Sequence, residues 1–183
     1  DGRDRRFDVT LLINGLPIVQ IELKKVSAKD GVFQAFNQIK KYSEEGMFRN
    51  NIFSTLQLFV ISNEQTTRYF ANVMPKDMHK KFVFSWRTKD NRKVENLYEF
   101  VKQVLNIPDA HRLIADYTIV SEDQDNKAVI VLKPYQIHAI QALFTSAMKH
   151  QSGYVWHATG SGKTLTSFVS TKLLARKAGV DRT

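Results

Sequence analysis

The sequence predicts an α/β fold: a mixed β-sheet core flanked by helices, followed by the start of a second α/β unit. Two observations point there. The first is an alternating apolar hairpin that gives way to a helical period and then to further strand-like runs. The second is a glycine-rich loop set between an apolar run and a helical pattern near the C-terminal end.

In the hairpin, Phe7, Val9, Leu11 and Ile13 fall on alternate positions, and Val19, Ile21 and Leu23 continue the pattern on the return. A period of two is the mark of a strand with one covered face. Asn14-Gly15 is a hairpin turn signal, and Pro17 sits where the second strand begins and a missing N–H is tolerated. From Lys29 to Gly46 the period becomes helical, with Phe33, Phe36 and Ile39 on one face and Gly46 as the stop. Residues 53–62, 68–73 and 81–86 are rich in β-branched and aromatic residues and read as strands. Residues 94–105 read as a helix ending before Pro108, and 109–117 as a short one. "SEDQDNK", residues 121–127, has no apolar residue and reads as a linker or exposed loop. It divides the chain into units over 1–120 and 121–183. The second unit is expected to run strand ("AVIVL"), helix (Pro134 to about Lys149), strand ("YVWHA") and helix (from about Lys163).

Composition narrows the function classes. Hydrophobic residues make up 43% of the 183, enough for a real core, which excludes a disordered chain. There is no cysteine, so no disulfide framework, which fits a cytoplasmic location. No apolar run approaches the roughly 18 residues of a membrane span. The formal charge of +9 points to a polyanionic partner, most often nucleic acid. The opening "DGRDRRFDV" reads as the interior of a longer protein.

"ATGSGKT", residues 158–164, fits the phosphate loop G-x-x-x-x-G-K-[ST], except that His157 stands at its first glycine. Gly160 and Gly162 let the backbone turn around Ser161 and aim N–H groups inward. The following helix N-terminus adds partial positive charge. Lys163 is placed to reach the β- and γ-phosphates of ATP, and Thr164 to offer its hydroxyl to Mg²⁺. Upstream, "LKPYQIHAIQAL" resembles the adenine-reading segment of superfamily 2 helicases. That resemblance makes Gln136 the adenine reader, with Tyr135 or Lys133 nearby. No acidic box follows, so these residues alone are not expected to hydrolyse ATP.

"IELKK", residues 21–25, puts a carboxylate and an ammonium in a strand. Positions i and i+2 share a face, so Glu22 and Lys24 point together, away from Val19, Ile21 and Leu23. A three-residue loop over Asn14-Gly15-Leu16 with a glycine bulge would set Asp8 directly across from Glu22. Two facing carboxylates repel unless a cation sits between them, and Mg²⁺ takes one or two carboxylates and keeps its waters. The alternative is a solvated outer face of the ribbon. Downstream, Gln38 and Tyr42 stand at i and i+4 on the next helix.

Asp8, then Glu22-x-Lys24, then Gln38-x-x-x-Tyr42 resembles the PD-(D/E)xK nucleases, in particular the RecB-type branch. The order of nuclease then helicase-like ATPase resembles the restriction (motor and endonuclease) subunit of type I restriction–modification enzymes. The resemblance rests on "RRFDVTLLINGLPIVQIELKK", "KPYQIHAIQAL" and "VWHATGSGKTLTSF". It implies a PD-(D/E)xK nuclease core followed by the start of a RecA-like motor. The activity implied is that of a type I site-specific deoxyribonuclease, which moves along duplex DNA with ATP and hydrolyses its phosphodiesters with Mg²⁺. Asp8, Glu22, Lys24, Gln38 and Tyr42 are then the catalytic set, with Asp8 and Glu22 on the metal. Partners implied are double-stranded DNA and the methyltransferase and specificity subunits. Arg3, Arg5, Arg6, Lys25, Lys29, Lys40 and Lys41 flank the set and are candidate phosphate contacts. The competing readings are a translocase whose first domain only binds DNA, and a module that docks partner subunits.

Overall fold

The computed structural model describes residues 5–123 and 126–177; Arg3 lies outside them. Strands β1 (Val9–Ile13) and β2 (Leu16–Leu23) form the antiparallel hairpin. Helix α1 (Gly31–Glu44) then crosses over to β3 (Leu58–Ser62), which pairs parallel to β2, and β4 (Thr67–Ala71) pairs antiparallel to β3. The result is a mixed sheet in the order β1-β2-β3-β4.

The hairpin differs from expectation in its turn. Asn14 (φ 50°) and Gly15 (φ 80°) make a two-residue turn, with Ile13 facing Leu16. A bulge follows: Leu12 faces Pro17 but Leu11 faces Val19, so Ile18 is the extra residue. Val9 therefore faces Ile21, and Asp8 falls one position on, at Glu22. The bulge supplies the one-residue shift that the longer loop was expected to supply.

Both faces of the sheet are covered, which is why β3 is buried at every position. Phe59, Ile61 and Phe70 pack beneath Val32, Ala35, Phe36 and Ile39 of α1. Val19, Ile21, Leu58, Val60 and Tyr69 face the other way, into a core that continues through the rest of the chain. The buried stripe of α1 includes Tyr42 and Ser43 but not Phe33, which is 39% exposed, because Val32 and Phe36 already fill the space over the sheet.

Two further strand expectations and one helix expectation change. Residues 52–55 form a 3₁₀ turn (Ile52–Thr55), capped by the Asn51 side chain, so only the second half of 53–62 is strand. Residues 81–86 do not form one strand: a 3₁₀ turn spans Lys80–Phe82, Phe84 bridges to Tyr69, and β5 (Trp86–Arg87) pairs with β6 (Lys93–Val94). The expected helix over 94–105 is α2 (Leu97–Phe100) continued by a wider π-type turn (Val101–Leu105), and α3 (Asp109–Ala115) follows.

The polar run at 121–127 is not a plain linker. Residues 121–123 belong to β7 (Thr118–Asp123) and 126–127 to β8 (Asn126–Val131), which pair as a hairpin, while 124 and 125 lie outside the described residues. Ladder bonds come from the backbone, so polar residues extend the ribbon begun by Ile119 and Val120. Helix α4 (Pro134–Met148) starts as expected at a proline, and α5 (Lys163–Lys177) follows the glycine-rich loop. Ile137 and Ile140 of α4 and Val169 and Leu173 of α5 enter the same core as Val19 and Phe100. "YVWHA" is no strand. Tyr154 and Trp156 are each 89% exposed, and no described strand lies beside them to complete a ladder.

Candidate active site and phosphate loop

The five residues singled out at the hairpin and α1 meet at the end of β2. Glu22 stands opposite Ile61 of β3 and is 1% exposed. The crossover through α1 covers that face of the ribbon, so the solvated-face alternative does not hold for Glu22. Lys24 leaves the sheet beside it, with its N–H bonded to the Ser62 carbonyl at 2.9 Å.

Gln38 connects the set. Its Nε2 donates to Glu22 Oε1 and, at 2.8 Å, to the Tyr42 hydroxyl. Its Oε1 accepts from Lys24 Nζ, which also donates to Glu22 Oε1 at 3.3 Å. The i, i+4 spacing on α1 is what lets one amide reach both Tyr42 and the strand. Tyr42 is held in turn by an edge-on contact with Phe7 at 5.8 Å. Asp8 is exposed and accepts from the Leu23 N–H at 2.8 Å, which fixes its carboxylate beside Glu22.

The electrostatics follow from this placement. Burial, then the Asp8 carboxylate, push the Glu22 carboxyl up to about 7, against a smaller opposing pull from Lys24. Glu22 Oε2 is buried and has no hydrogen-bond partner. An orphaned carboxylate oxygen next to a second carboxylate is the environment a cation relieves. No group of three or more His, Cys, Asp or Glu gathers among the described residues. The donor set therefore suits an ion content with two carboxylates and its own waters, as Mg²⁺ is.

Sequence reasoning missed Gly31. A Cβ there would sit 3.3 Å from Lys24 Cβ and 3.2 Å from Ala28 Cβ, tight against both. The missing side chain lets the start of α1 press against Lys24. Of the flanking cations, Arg5 pairs with Glu45 at 2.6 Å and lies over the Tyr42 ring. Arg6 and Lys25 line a shallow opening with Asp8 and Lys24.

The second constellation is the loop before α5. Gly160 and Gly162 take φ of 76° and 81°, which favours glycine at both. Ser161 Oγ donates to the Ala158 carbonyl at 2.7 Å, and the exposed Lys163 Nζ reaches the same carbonyl at 3.4 Å. Thr164 is exposed in the first turn of α5. Gln136 is buried and engaged with the loop itself. Its Oε1 accepts from the Lys133 N–H at 2.9 Å, and its Nε2 approaches the Ser161 and Gly162 carbonyls at 3.4 and 3.5 Å. Tyr135 donates to the Ser161 carbonyl at 2.7 Å, and its ring meets His157 edge-on at 5.9 Å. Gln136, Tyr135, Lys133 and the loop share one apolar cavity of about 340 Å³ with Phe84 and Val131.

Two family models match the chain. One, described as the N terminus of the type I restriction enzyme R protein, covers residues 1–78. The other, described as the type III restriction enzyme res subunit, covers residues 129–183. A type I restriction enzyme endonuclease subunit from Staphylococcus aureus is 37% identical over all 183 residues, and one from Staphylococcus saprophyticus is 39% identical over the same length. This chain belongs to the type I restriction endonuclease subunit family. The EcoprrI endonuclease subunit of Escherichia coli is 38% identical over 160 residues, or 82% of this chain. The chain spans 19% of the length of the staphylococcal subunits and 50% of the Escherichia coli one. The R-protein N-terminus match contains Asp8, Glu22, Lys24, Gln38 and Tyr42, and the res-subunit match contains Gln136 and Gly160 to Thr164.

Proposed function

We propose that this chain is part of an ATP-dependent type I restriction endonuclease subunit. In this reading residues 1–120 form a PD-(D/E)xK nuclease domain, and residues 121–183 open a RecA-like motor that moves along duplex DNA. The observation that carries the nuclease reading is Glu22. A buried carboxyl is oriented on one oxygen by Gln38 and Lys24 and left without a partner on the other, beside Asp8.

Asp8 and Glu22 are the residues that would hold Mg²⁺. When bound, the ion supplies an activated water and charge stabilisation at the scissile phosphate. Lys24 carries the positive charge nearest Glu22 and stands where it can offset charge developing on the phosphate. Gln38 positions both Glu22 and Lys24, and Tyr42 positions Gln38. In the second unit, the N–H groups around Gly160, Ser161 and Gly162, with Lys163, suit the phosphates of ATP. Thr164 is the hydroxyl available for a nucleotide-bound Mg²⁺. Gln136 and Tyr135, both bonded to loop carbonyls, are set to sense the loop's shape and to face an adenine. DNA is the substrate, methyltransferase and specificity subunits are the partners, and the setting is cytoplasmic. Among the described residues no helix is long and apolar enough to cross a membrane.

The test is plasmid cleavage by the full-length subunit assembled with its partners, in Mg²⁺ with and without ATP, for wild type and Asp8→Ala. Cleavage that needs both ATP and Asp8 is the expected result. ATP hydrolysis with no cleavage by either protein would sink the nuclease reading in favour of a translocase or docking module.

A further inference from the structure

Among the described residues some cations are matched to a carboxylate and others are not. Arg5, Arg68, Arg92, Arg112 and Arg176 are each matched to a carboxylate. Lys80 and Lys81 are not. Among the described residues neither ammonium has a carboxylate partner; Lys80 Nζ lies 4.8 Å over the Phe33 ring and Lys81 Nζ 4.9 Å over the Phe82 ring. Both rings are themselves at the surface, Phe33 39% and Phe82 50% exposed, and His79 stands 6.3 Å from the Phe82 ring. The stretch from Lys76 to Lys81 carries three lysines against the single Asp77.

We infer that Lys80 and Lys81, held over Phe33 and Phe82, form a second contact surface for the DNA phosphate backbone, distinct from the Asp8–Glu22 site. This rests on the reading of DNA as substrate. A lysine left to itself is a mobile point charge that loses side-chain entropy on meeting a phosphate. An exposed ring beneath each ammonium limits that freedom before binding, at a strength too small to compete with a phosphate. Aromatic rings interleaved with lysines are also how sequence-tolerant nucleic-acid surfaces are built.

The position fits a substrate that also reaches the Asp8–Glu22 site. Phe33 and Gln38 sit on the same helix, roughly 140° apart around its axis at about 100° per residue. The outer face of α1 between them carries exposed Gln34, Asn37 and Lys41, with Glu44 the acidic exception. A helix is about 10–12 Å across. A backbone with phosphates every 3.4 Å or so along each strand therefore spans both flanks within a few nucleotides. Residues 76–82 lack a diagnostic motif, and this assigns them a task.

The experiment measures binding of a fluorescent DNA duplex to the 183-residue chain in EDTA, across a salt series. Wild type is compared with Lys80→Gln/Lys81→Gln and with Lys89→Gln/Lys93→Gln, an exposed pair on the β5–β6 hairpin. Each lost phosphate contact lowers the slope of log affinity against log salt by about 0.9. The Lys80/Lys81 variant should lose about 1.8 of slope, while the control pair keeps the wild-type value. An unchanged slope, or an equal loss in the control, overturns the proposal and leaves the surface to an acidic protein partner. Because EDTA removes the metal, the outcome is independent of cleavage. A chain that binds with the expected slopes but never cuts in its assembly would lose the nuclease reading and keep this surface.

Discussion

Gln38 on α1 donates to Glu22 Oε1 on β2, across a sequence separation of 16 residues. This single amide ties helix to sheet and also receives Lys24. Gln38→Ala should leave Glu22 and Lys24 short of partners in a mostly buried setting, which costs on the order of 1–3 kcal/mol. Urea unfolding of the 183-residue chain measures it. Cleavage by the assembled full-length subunit should fall more than the stability loss explains, because the geometry of Glu22 and Lys24 goes with the amide. A loss of stability with full cleavage would show Gln38 to be structural only.

Glu22 makes stability depend on pH. Its carboxyl is raised from 4.5 to about 7 in the folded chain, so between those values the folded state holds more protons than the unfolded one. Stability therefore falls as pH rises from about 4.5 to 7 and levels off above. At about 1.4 kcal/mol per pKa unit, the fall is at most about 3.5 kcal/mol. Glu22→Gln should flatten this part of the pH profile of unfolding without Mg²⁺. A wild-type profile that rises through this window would contradict the buried, unpaired carboxyl.

Asp8→Asn tests the facing pair. The asparagine keeps an oxygen for the Leu23 N–H and removes the charge that helps raise Glu22. Metal-free stability at pH 8 should rise by about 1 kcal/mol, while Mg²⁺ ceases to stabilise the chain and cleavage is lost. Thermal melts with and without Mg²⁺ read both effects. Equal stabilisation of variant and wild type by Mg²⁺ would remove Asp8 from the metal site.

Gly162 and Lys163 should behave in opposite ways. A Cβ at residue 162 would lie 2.6 Å from Gln136 Nε2, on a backbone at φ 81°. Gly162→Ala should cost on the order of 1–3 kcal/mol even without nucleotide. Lys163→Ala removes an exposed ammonium whose bond is to the Ala158 carbonyl, so its cost should be under about 0.5 kcal/mol. Melts with and without ATP and Mg²⁺ separate them: Lys163→Ala should melt like wild type but gain nothing from nucleotide. A normal nucleotide shift in that variant would argue against the loop as an ATP site.

Local pattern made much of this legible. The hairpin, α1, α4 and α5 were visible in periods of two and of 3.6, and in the turn and cap residues at their ends. That Asp8, Glu22 and Lys24 would share a face followed from strand alternation, and that Gln38 and Tyr42 would share one followed from an i, i+4 step; that the two sets would meet was implied by the nuclease resemblance alone. What escaped was set by distant parts of the chain. Glu22 is buried because α1 folds back over it, which no window around residue 22 contains. Phe33 keeps helical spacing but lies outside the stripe the sheet can cover. Residues 121–123 and 126–127 pair through backbone, to which polarity is blind, and 154–158 have strand composition without a neighbouring strand.

The bulge at Ile18 gives the hairpin a parity. Removing that residue alone would pair Asp8 with Ile21 and turn Glu22 toward Phe7, so that one carboxylate of the pair looks into each side of the sheet. Adding one residue to the turn would do the same in the other direction. Between Asp8 and Glu22 the chain can thus change length in twos, or by a compensated gain and loss, but not by a single residue. Descendants of this hairpin should differ there by even steps.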